Sequence, residues 1–159
     1  MKIINPGRVS HSYTQSLAGT PDEVFPLLCP VREVEWVPGW SPVEVRSASG
    51  IAELDCVFTT PAGPGGDAIW MVTQYDPAAK RIQFVKFTPA TTACRLDIAV
   101  TPDGEGSKAD VTYSHTSLGP LGDAFIDEQF TAEHYLVFMK EWEDCMNAFL
   151  VTSRAPKAA

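Results

Sequence analysis

The chain is short of positive charge. Its 159 residues include 12 Lys and Arg against 20 Asp and Glu, so the formal net charge is −8 at pH 7. Proteins that bind DNA or RNA need clustered Lys and Arg side chains to neutralise phosphate groups. We therefore expect no nucleic-acid partner.

Long apolar runs are missing as well. No stretch of the sequence is long enough to cross a bilayer as a helix. The N-terminal segment lacks the apolar core and the small-residue cleavage site of a signal peptide. The four cysteines form no CxxC pair, which favours reduced thiols over a disulfide framework. We therefore expect no membrane span and a cytoplasmic location.

The motifs of several enzyme classes are absent too. The sequence has no Gly-rich phosphate loop that leads into a helix, no nucleophile elbow and no paired-carboxylate motif. Its only histidines are His11, His115 and His134. Three imidazoles can ligate zinc, but no HxH, HxxxH or HExxH spacing fixes two of them on one element. We predict no metal site and no cofactor.

Alternating segments are plentiful. In Arg8–Leu17, the larger side chains Val9, His11, Tyr13, Gln15 and Leu17 alternate with Ser and Thr, which is the period of a strand. Short turns rich in Pro, Gly and Asp separate six further predicted strands. These are Val43–Ser49, Ala52–Thr59, Ala68–Tyr75, Arg81–Phe87, Thr91–Thr101 and Ser107–Leu118. The pattern predicts an antiparallel meander.

Two short helices are predicted between the first and second strands. Thr20 as N-cap, Pro21 as first helical residue and Glu23 three residues after the cap are typical of a helix start. Pro26 keeps this helix short, and a second turn covers Val31–Glu35. We expect the following Trp36 and Trp40 to anchor that turn over the mouth of a pocket.

The one long helix is predicted over Asp127–Thr152, which contains no Gly or Pro. Apolar residues recur there every three or four positions, so we expect one face to be buried. The predicted inward stripe is Phe130, His134, Val137, Phe138, Glu141, Trp142, Cys145 and Phe149. Residues 1–152 then form a single domain, and we expect 153–159 to fray.

A single long helix must cover the inner face of seven strands. A curved antiparallel sheet wrapped around that helix buries the apolar surface that a flat sheet would leave wet. The sequence therefore predicts an α+β fold. The sheet has seven strands, the long helix is C-terminal, and the two short helices lie between strands one and two.

Several local stretches resemble the START-like helix-grip superfamily, which includes polyketide cyclases/dehydrases and lipid-transport proteins. The residues that carry the likeness are Ala18–Phe25 with Leu27, Leu28 and Pro30, then Glu33–Trp40, then Val72–Pro77 with Arg81 and Ile82. The resemblance implies a helix-grip fold with a cavity between sheet and helix, usually filled by an apolar or aromatic small molecule. Because the fold hosts binders, enzymes and partner-binding modules, it does not assign an activity.

A polar cluster is the main candidate site. In the helix-grip arrangement the first and last strands are antiparallel neighbours. If Leu17 lies opposite Ala109, Tyr13 meets Tyr113 and His11 meets His115, with His134 facing them from the helix. Gln15 belongs to the same inner face. Such residues can be a hydrogen-bonded structural network, polar contacts for a ligand, or acid–base groups.

Aromatic residues at strand or helix spacing form either the wall of the cavity or plain core. This set comprises Phe58, Trp70, Phe84, Phe130, Phe138 and Trp142. The loop Pro61–Asp67 is a candidate lid.

Three functions are compatible with these residues. The first is binding of a small hydrophobic or aromatic molecule, with transport of that molecule as an extension. The second is a cofactor-free cyclase/dehydrase-like reaction that uses Tyr13, His115 and His134. The third is a partner-binding module whose cavity is filled by Trp70, Phe84 and Trp142. The sequence also leaves open whether the protein is a homodimer.

Overall fold

A computed structural model describes residues 1–5, 7–62 and 66–154. Seven antiparallel strands form one sheet in the order β1-β7-β6-β5-β4-β3-β2. The strands are β1 Arg8–Leu17, β2 Glu44–Arg46, β3 Val57–Thr60, β4 Ala68–Asp76, β5 Arg81–Thr88, β6 Thr92–Asp103 and β7 Gly106–Ser117. The predicted α+β helix-grip fold is confirmed. The predicted lid Pro61–Asp67 includes positions 63–65, which lie outside the described residues.

Short helices form between β1 and β2 as predicted, but the second one begins at Glu33 instead of Val31. Helix α1 covers Pro21–Val24, and 3-10 turns follow at Phe25–Leu28 and Glu33–Glu35. The Glu23 carboxylate accepts a hydrogen bond from the Thr20 backbone N–H at 2.8 Å, as a capping box requires. This fixes the point at which the chain leaves β1.

The predicted single C-terminal helix is wrong at its start. Helix α2 covers Pro120–Glu128, and a separate helix α3 covers Ala132–Arg154. Thr131 causes the break, because its hydroxyl accepts a hydrogen bond from the His134 N–H at 3.2 Å and so caps α3. The helix also extends two residues beyond its predicted end at Thr152. Arg154 continues the helix, donates to the Ala18 carbonyl at 2.9 Å and pairs with Glu23, whereas 155–159 lie outside the described residues.

The inward stripe of α3 differs from the predicted one. The buried residues of α3 are Tyr135, Met139, Trp142, Glu143, Met146 and Leu150. Of the predicted stripe within α3 only Trp142 is buried, while Val137 and Phe138 are 54% and 46% exposed. Both the predicted and the observed stripe contain apolar residues at helical spacing. The observed stripe also contains Glu143, and a charged residue makes that side of the helix look solvent-exposed in the sequence. A prediction based on hydrophobicity therefore selects the wrong side.

Hydrogen bonds hold α3 against β1. The Glu143 carboxylate accepts a hydrogen bond from the Ser16 backbone N–H at 2.9 Å. Gln15 donates from Nε2 to the Met139 carbonyl at 3.1 Å. Asn147 Oδ1 accepts from the Ala18 N–H at 2.8 Å. These bonds give the helix a fixed position on one side of the curved sheet, so the space that remains lies towards β3–β7.

The predicted register between the first and last strands is off by two residues. Leu17 lies opposite Ser107, and His11 lies opposite Tyr113. His115 is opposite Val9 instead of His11. Because the error is an even number, the same side chains still face inward.

Candidate functional site

An inner cavity of about 110 Å³ lies between the sheet and α3. Most of its lining is aromatic or aliphatic: Val37, Trp40, Phe58, Trp70, Phe84, Leu96, Tyr113, Phe138 and Trp142, together with Glu33. Trp70, Phe84 and Trp142 line this cavity and do not fill it, in contrast to what a vestigial cavity would require.

An outer cavity of about 390 Å³ adjoins the inner one. The two share Trp40, Trp70, Tyr113 and Phe138, which we call the neck residues. Beyond the neck the outer cavity is lined by Thr60, Pro61, Lys86, His115, Phe125, Gln129, Phe130, His134 and Tyr135. A third space of about 540 Å³, the rim cleft, shares Pro61, Lys86, His115, Phe125 and Gln129 with the outer cavity. The three spaces therefore adjoin one another from the rim to the interior.

The strand register explains why the wall is aromatic. Residues directly opposite one another in antiparallel strands share a face. One row across the sheet runs Phe58, Trp70, Lys86, Cys94 and His115, and the next runs Val72, Phe84, Leu96, Tyr113 and His11. Phe58 stacks on Trp70 with ring centroids 5.4 Å apart and the planes 10° from parallel. Flat faces of this kind suit a ring-shaped guest.

Trp40 closes the cavities from the side of the 3-10 turns. Its indole N–H donates to the Pro30 carbonyl at 2.8 Å. The neighbouring Trp36 is buried, donates to the Leu27 carbonyl at 3.0 Å and packs against Trp142 at 5.0 Å. Trp40 therefore belongs to the cavity wall, whereas Trp36 fixes the turn that carries it.

Glu33 is one of two charged site residues that sequence reasoning missed. It lies in the second 3-10 turn, is only 7% exposed and lines the inner cavity. Its carboxyl group has no hydrogen-bond partner among the described residues, and burial raises its pKa to about 8. At neutral pH it is mostly protonated and can donate a hydrogen bond or a proton into the cavity. A three-residue turn has no periodicity that would reveal this orientation.

Tyr113 shares the inner cavity with Glu33. Burial, and next the charges of Cys94 and Glu33, raise the pKa of its phenol well above the usual value. Within the described part of the chain its hydroxyl makes no hydrogen bond to protein. Tyr113 and Glu33 thus offer two neutral donors in an otherwise apolar space.

His115 is buried at the boundary of the outer cavity and the rim cleft. Its Nδ1 lies 3.1 Å from Thr92 Oγ1, and its ring centroid is 4.4 Å from that of Phe130. Burial, and secondly the charge of Lys86, lower the pKa of His115 to about 4. The ring is therefore neutral at pH 7. His134 is exposed and lines the outer cavity.

Three predicted site residues lie away from the cavities. His11 is on the concave face, but its Nε2 is 3.0 Å from the Phe130 carbonyl and its ring packs on Phe130 at 4.8 Å. The Tyr13 hydroxyl donates to Glu143 at 3.4 Å, and Gln15 is buried against α3. None of the three lines a cavity described above, because α3 lies over this end of β1. The other nine predicted residues do: Phe58, Trp70, Phe84, Tyr113, His115, Phe130, His134, Phe138 and Trp142.

Lys86 is a second residue that the sequence analysis missed. It follows Ile82 and Phe84 at intervals of two in β5, so strand alternation alone places it on the inner face. It lines the outer cavity, with Nζ 4.7 Å from the centroid of the Trp70 ring. Burial lowers the pKa of its ammonium group.

Among residues 1–5, 7–62 and 66–154, no three His, Cys, Asp or Glu side chains come together in a way that could hold a metal ion. All four cysteines are free thiols. No helix in the described residues is long and apolar enough to span a membrane.

Comparison with known proteins agrees with this geometry. The model of the family described as "Polyketide cyclase / dehydrase and lipid transport" matches residues 8–135. The chain belongs to this family. Family membership supports ligand binding in general and identifies no particular ligand. No curated protein matches the chain in sequence.

Solved structures show the same fold at low sequence identity. Norcoclaurine synthase from Thalictrum flavum has a TM-score of 0.67 at 12% identity, covering 92% of this chain and 88% of that one. An uncharacterized protein from Rhizobium leguminosarum has a TM-score of 0.66 at 15% identity, covering 95% and 99%. At such identities the likeness concerns the fold alone.

Proposed function

We propose that this family member binds a small, mainly apolar, ring-containing molecule in the inner and outer cavities. The observation that carries the proposal is the neck, where Trp40, Trp70, Tyr113 and Phe138 border both spaces. Ligand pockets are typically apolar and aromatic, with a few polar groups that orient the guest. Glu33 and Tyr113 supply those polar groups at the inner end. Transport of the molecule and a cytoplasmic location remain predictions.

A neutral fluorescent probe, N-phenyl-naphthylamine, tests this proposal. The probe becomes bright in an apolar site, so a saturable rise in emission is expected with the wild-type protein. Gln129→Trp should weaken binding, because Gln129 is an exposed residue that lines the outer cavity and the rim cleft. Glu128→Trp is the matched control on the adjacent exposed position. Equal affinities for the two variants would contradict binding in these cavities.

The second candidate is an acid–base reaction on a carbonyl compound, and Glu33 is the observation that favours it. A carboxyl group with a pKa near the working pH is suited to take and return a proton. In this candidate Glu33 replaces Tyr13 as the acid–base group, because Tyr13 is bonded to Glu143. The ionised Glu33 carboxylate removes a proton next to the carbonyl, which leaves an enolate and the Glu33 carboxylic acid. Return of a proton from that carboxylic acid to the carbon closes the cycle.

Proton exchange measures this activity without knowledge of the natural substrate. The protein would be incubated in deuterated water with β-tetralone, a bicyclic ketone, and deuterium incorporation next to the carbonyl followed by NMR. We expect Glu33→Gln to abolish any catalysed exchange, and Glu35→Gln to leave it intact, since Glu35 is exposed and paired with Arg32. Exchange no faster than in buffer would reject this candidate and leave ligand binding untouched.

A further inference from the structure

Lys86 brings a positive charge into the proposed binding space. It lies in the cross-strand row between Trp70 and Cys94, and it lines both the outer cavity and the rim cleft. Its Nζ lies over the Trp70 ring, 4.7 Å from the centroid. A molecule that enters from the rim therefore passes this ammonium group before it reaches the neck.

No acidic side chain neutralises Lys86. Lys80, Lys108 and Lys140 each pair with a carboxylate. Lys86 has neither an ion pair nor a side-chain hydrogen bond among residues 1–5, 7–62 and 66–154, and the remaining positions contain no Asp or Glu. A partly buried charge without a counter-charge is costly. The cation–π contact with Trp70 offsets only part of that cost.

The neighbours of Lys86 in its row are uncharged at pH 7. Burial raises the pKa of the Cys94 thiol to about 12. The pKa of His115 lies near 4, so its ring is neutral. The Asp97 carboxylate accepts hydrogen bonds from Arg95 at 2.8 Å and from Gln83 at 2.6 Å, so its partners are residues other than Lys86. Within the row Phe58, Trp70, Lys86, Cys94 and His115, the ammonium group is the one formal charge.

We propose that Lys86 is an anion-binding residue and that the ligand is an aromatic or otherwise apolar acid. Its carboxylate, sulfonate, phenolate or enolate group pairs with Lys86 in the outer cavity, while its apolar part lies against the neck residues. This inference rests on the proposed ligand-binding function and narrows it to one chemical class. A neutral guest would leave the ammonium group desolvated without a partner, and a cationic guest would be repelled.

Two probes with the same rings separate charge from shape. Anilinonaphthalene sulfonate carries one sulfonate, and N-phenyl-naphthylamine is the same molecule without it. Lys86→Met keeps much of the side-chain length and removes the charge. It should weaken binding of the sulfonate probe about tenfold or more and should not weaken binding of the neutral probe, because a charged hydrogen bond is lost only with the former. Lys86→Arg keeps the positive charge and should bind the sulfonate probe with an affinity close to that of the wild type.

Lys108→Met is the control for overall charge, since it removes one positive charge from an exposed site on β7 that pairs with Asp103. It should change neither affinity. Circular dichroism checks that each variant is folded, and Lys86→Gln replaces Lys86→Met if the latter is not. If Lys86→Met weakened the binding of both probes equally, or of neither, the proposed role of Lys86 would be overturned and the proposed binding function would be unaffected. Failure of the wild type to bind either probe would overturn the binding function as well.

Discussion

Glu33 and Tyr113 line the same inner cavity, and neither side chain is hydrogen-bonded to protein within the described residues. Burial raises the pKa of both groups, to about 8 for Glu33. A buried carboxyl group without a hydrogen-bond partner lowers the stability of the folded protein at neutral pH. Because the pKa of Glu33 differs between the folded and unfolded states, the free energy of unfolding should depend on pH.

Glu33→Gln should stabilise the protein at pH 7.5. The folded-state pKa is about 8 and the ordinary value 4.5, so the native state binds more protons between these values. The free energy of unfolding therefore falls as pH rises through that window, by about 1.4 kcal/mol per pH unit. The variant avoids this loss, because its amide does not ionise. Urea unfolding of both proteins at acidic and neutral pH measures the difference, and an equal gain at all pH values would contradict it.

His115→Gln should lose less stability than the wild type on acidification. The His115 pKa falls from 6.5 to about 4 on folding, so the unfolded state binds more protons between these values. The contribution of His115 is complete above pH 6.5 and is lost as pH falls towards 4. The opposite slope from Glu33 masks part of this effect in the wild type. The test is therefore the wild-type minus variant difference in unfolding free energy, which should shrink with falling pH. A constant difference would contradict the assignment.

Much of the fold could be predicted from the sequence because it depends on patterns of period two. Alternation in Arg8–Leu17 assigns β1 and its inner face correctly. The single-helix prediction failed because the Thr131 cap interrupts a stretch without Gly or Pro. The inner face of α3 was missed because Glu143 is buried there with hydrogen-bonding partners, a tertiary effect that no hydrophobic pattern contains.

The candidate site was only partly predictable for a related reason. Strand periodicity identified Trp70, Phe84 and Tyr113, and it could equally have identified Lys86 in β5. Glu33 is different, because its orientation depends on a 3-10 turn held in place by the Trp36 and Trp40 indoles. Those contacts span nine and ten residues of chain, and local sequence does not determine them.

Glu143→Ala should destabilise the protein by about 2–3 kcal/mol, because a buried acceptor is removed and its donors are left unpaired. Ser16 N–H, the Tyr13 hydroxyl and Lys140 all bond to this carboxylate. Glu141→Ala, an exposed neighbour on the same helix, should change stability by no more than about 0.5 kcal/mol. Urea denaturation compares the two variants. Similar small effects of the two variants would show that the Glu143 hydrogen bonds between α3 and β1 contribute little to stability.

Thr131→Ala should cost about 1 kcal/mol, the usual loss for an N-cap. Its hydroxyl accepts from the His134 N–H, and its carbonyl accepts from the Tyr135 N–H at 2.9 Å. Thr131→Ser keeps a capping hydroxyl and should remain close to the wild type. Thermal unfolding of the two variants makes the comparison. Equal losses would mean that the methyl group, and not the cap, matters at this position.

The four tryptophans provide the most direct test of the cavity itself. Trp40, Trp70 and Trp142 line it, whereas Trp36 is buried behind it with its indole N–H bonded to Leu27. Indole N–H resonances would be recorded by NMR while N-phenyl-naphthylamine is added. We predict saturable shifts for Trp40, Trp70 and Trp142 that exceed the shift of Trp36. Four unchanged resonances, or equal shifts for all four, would contradict binding between the sheet and α3.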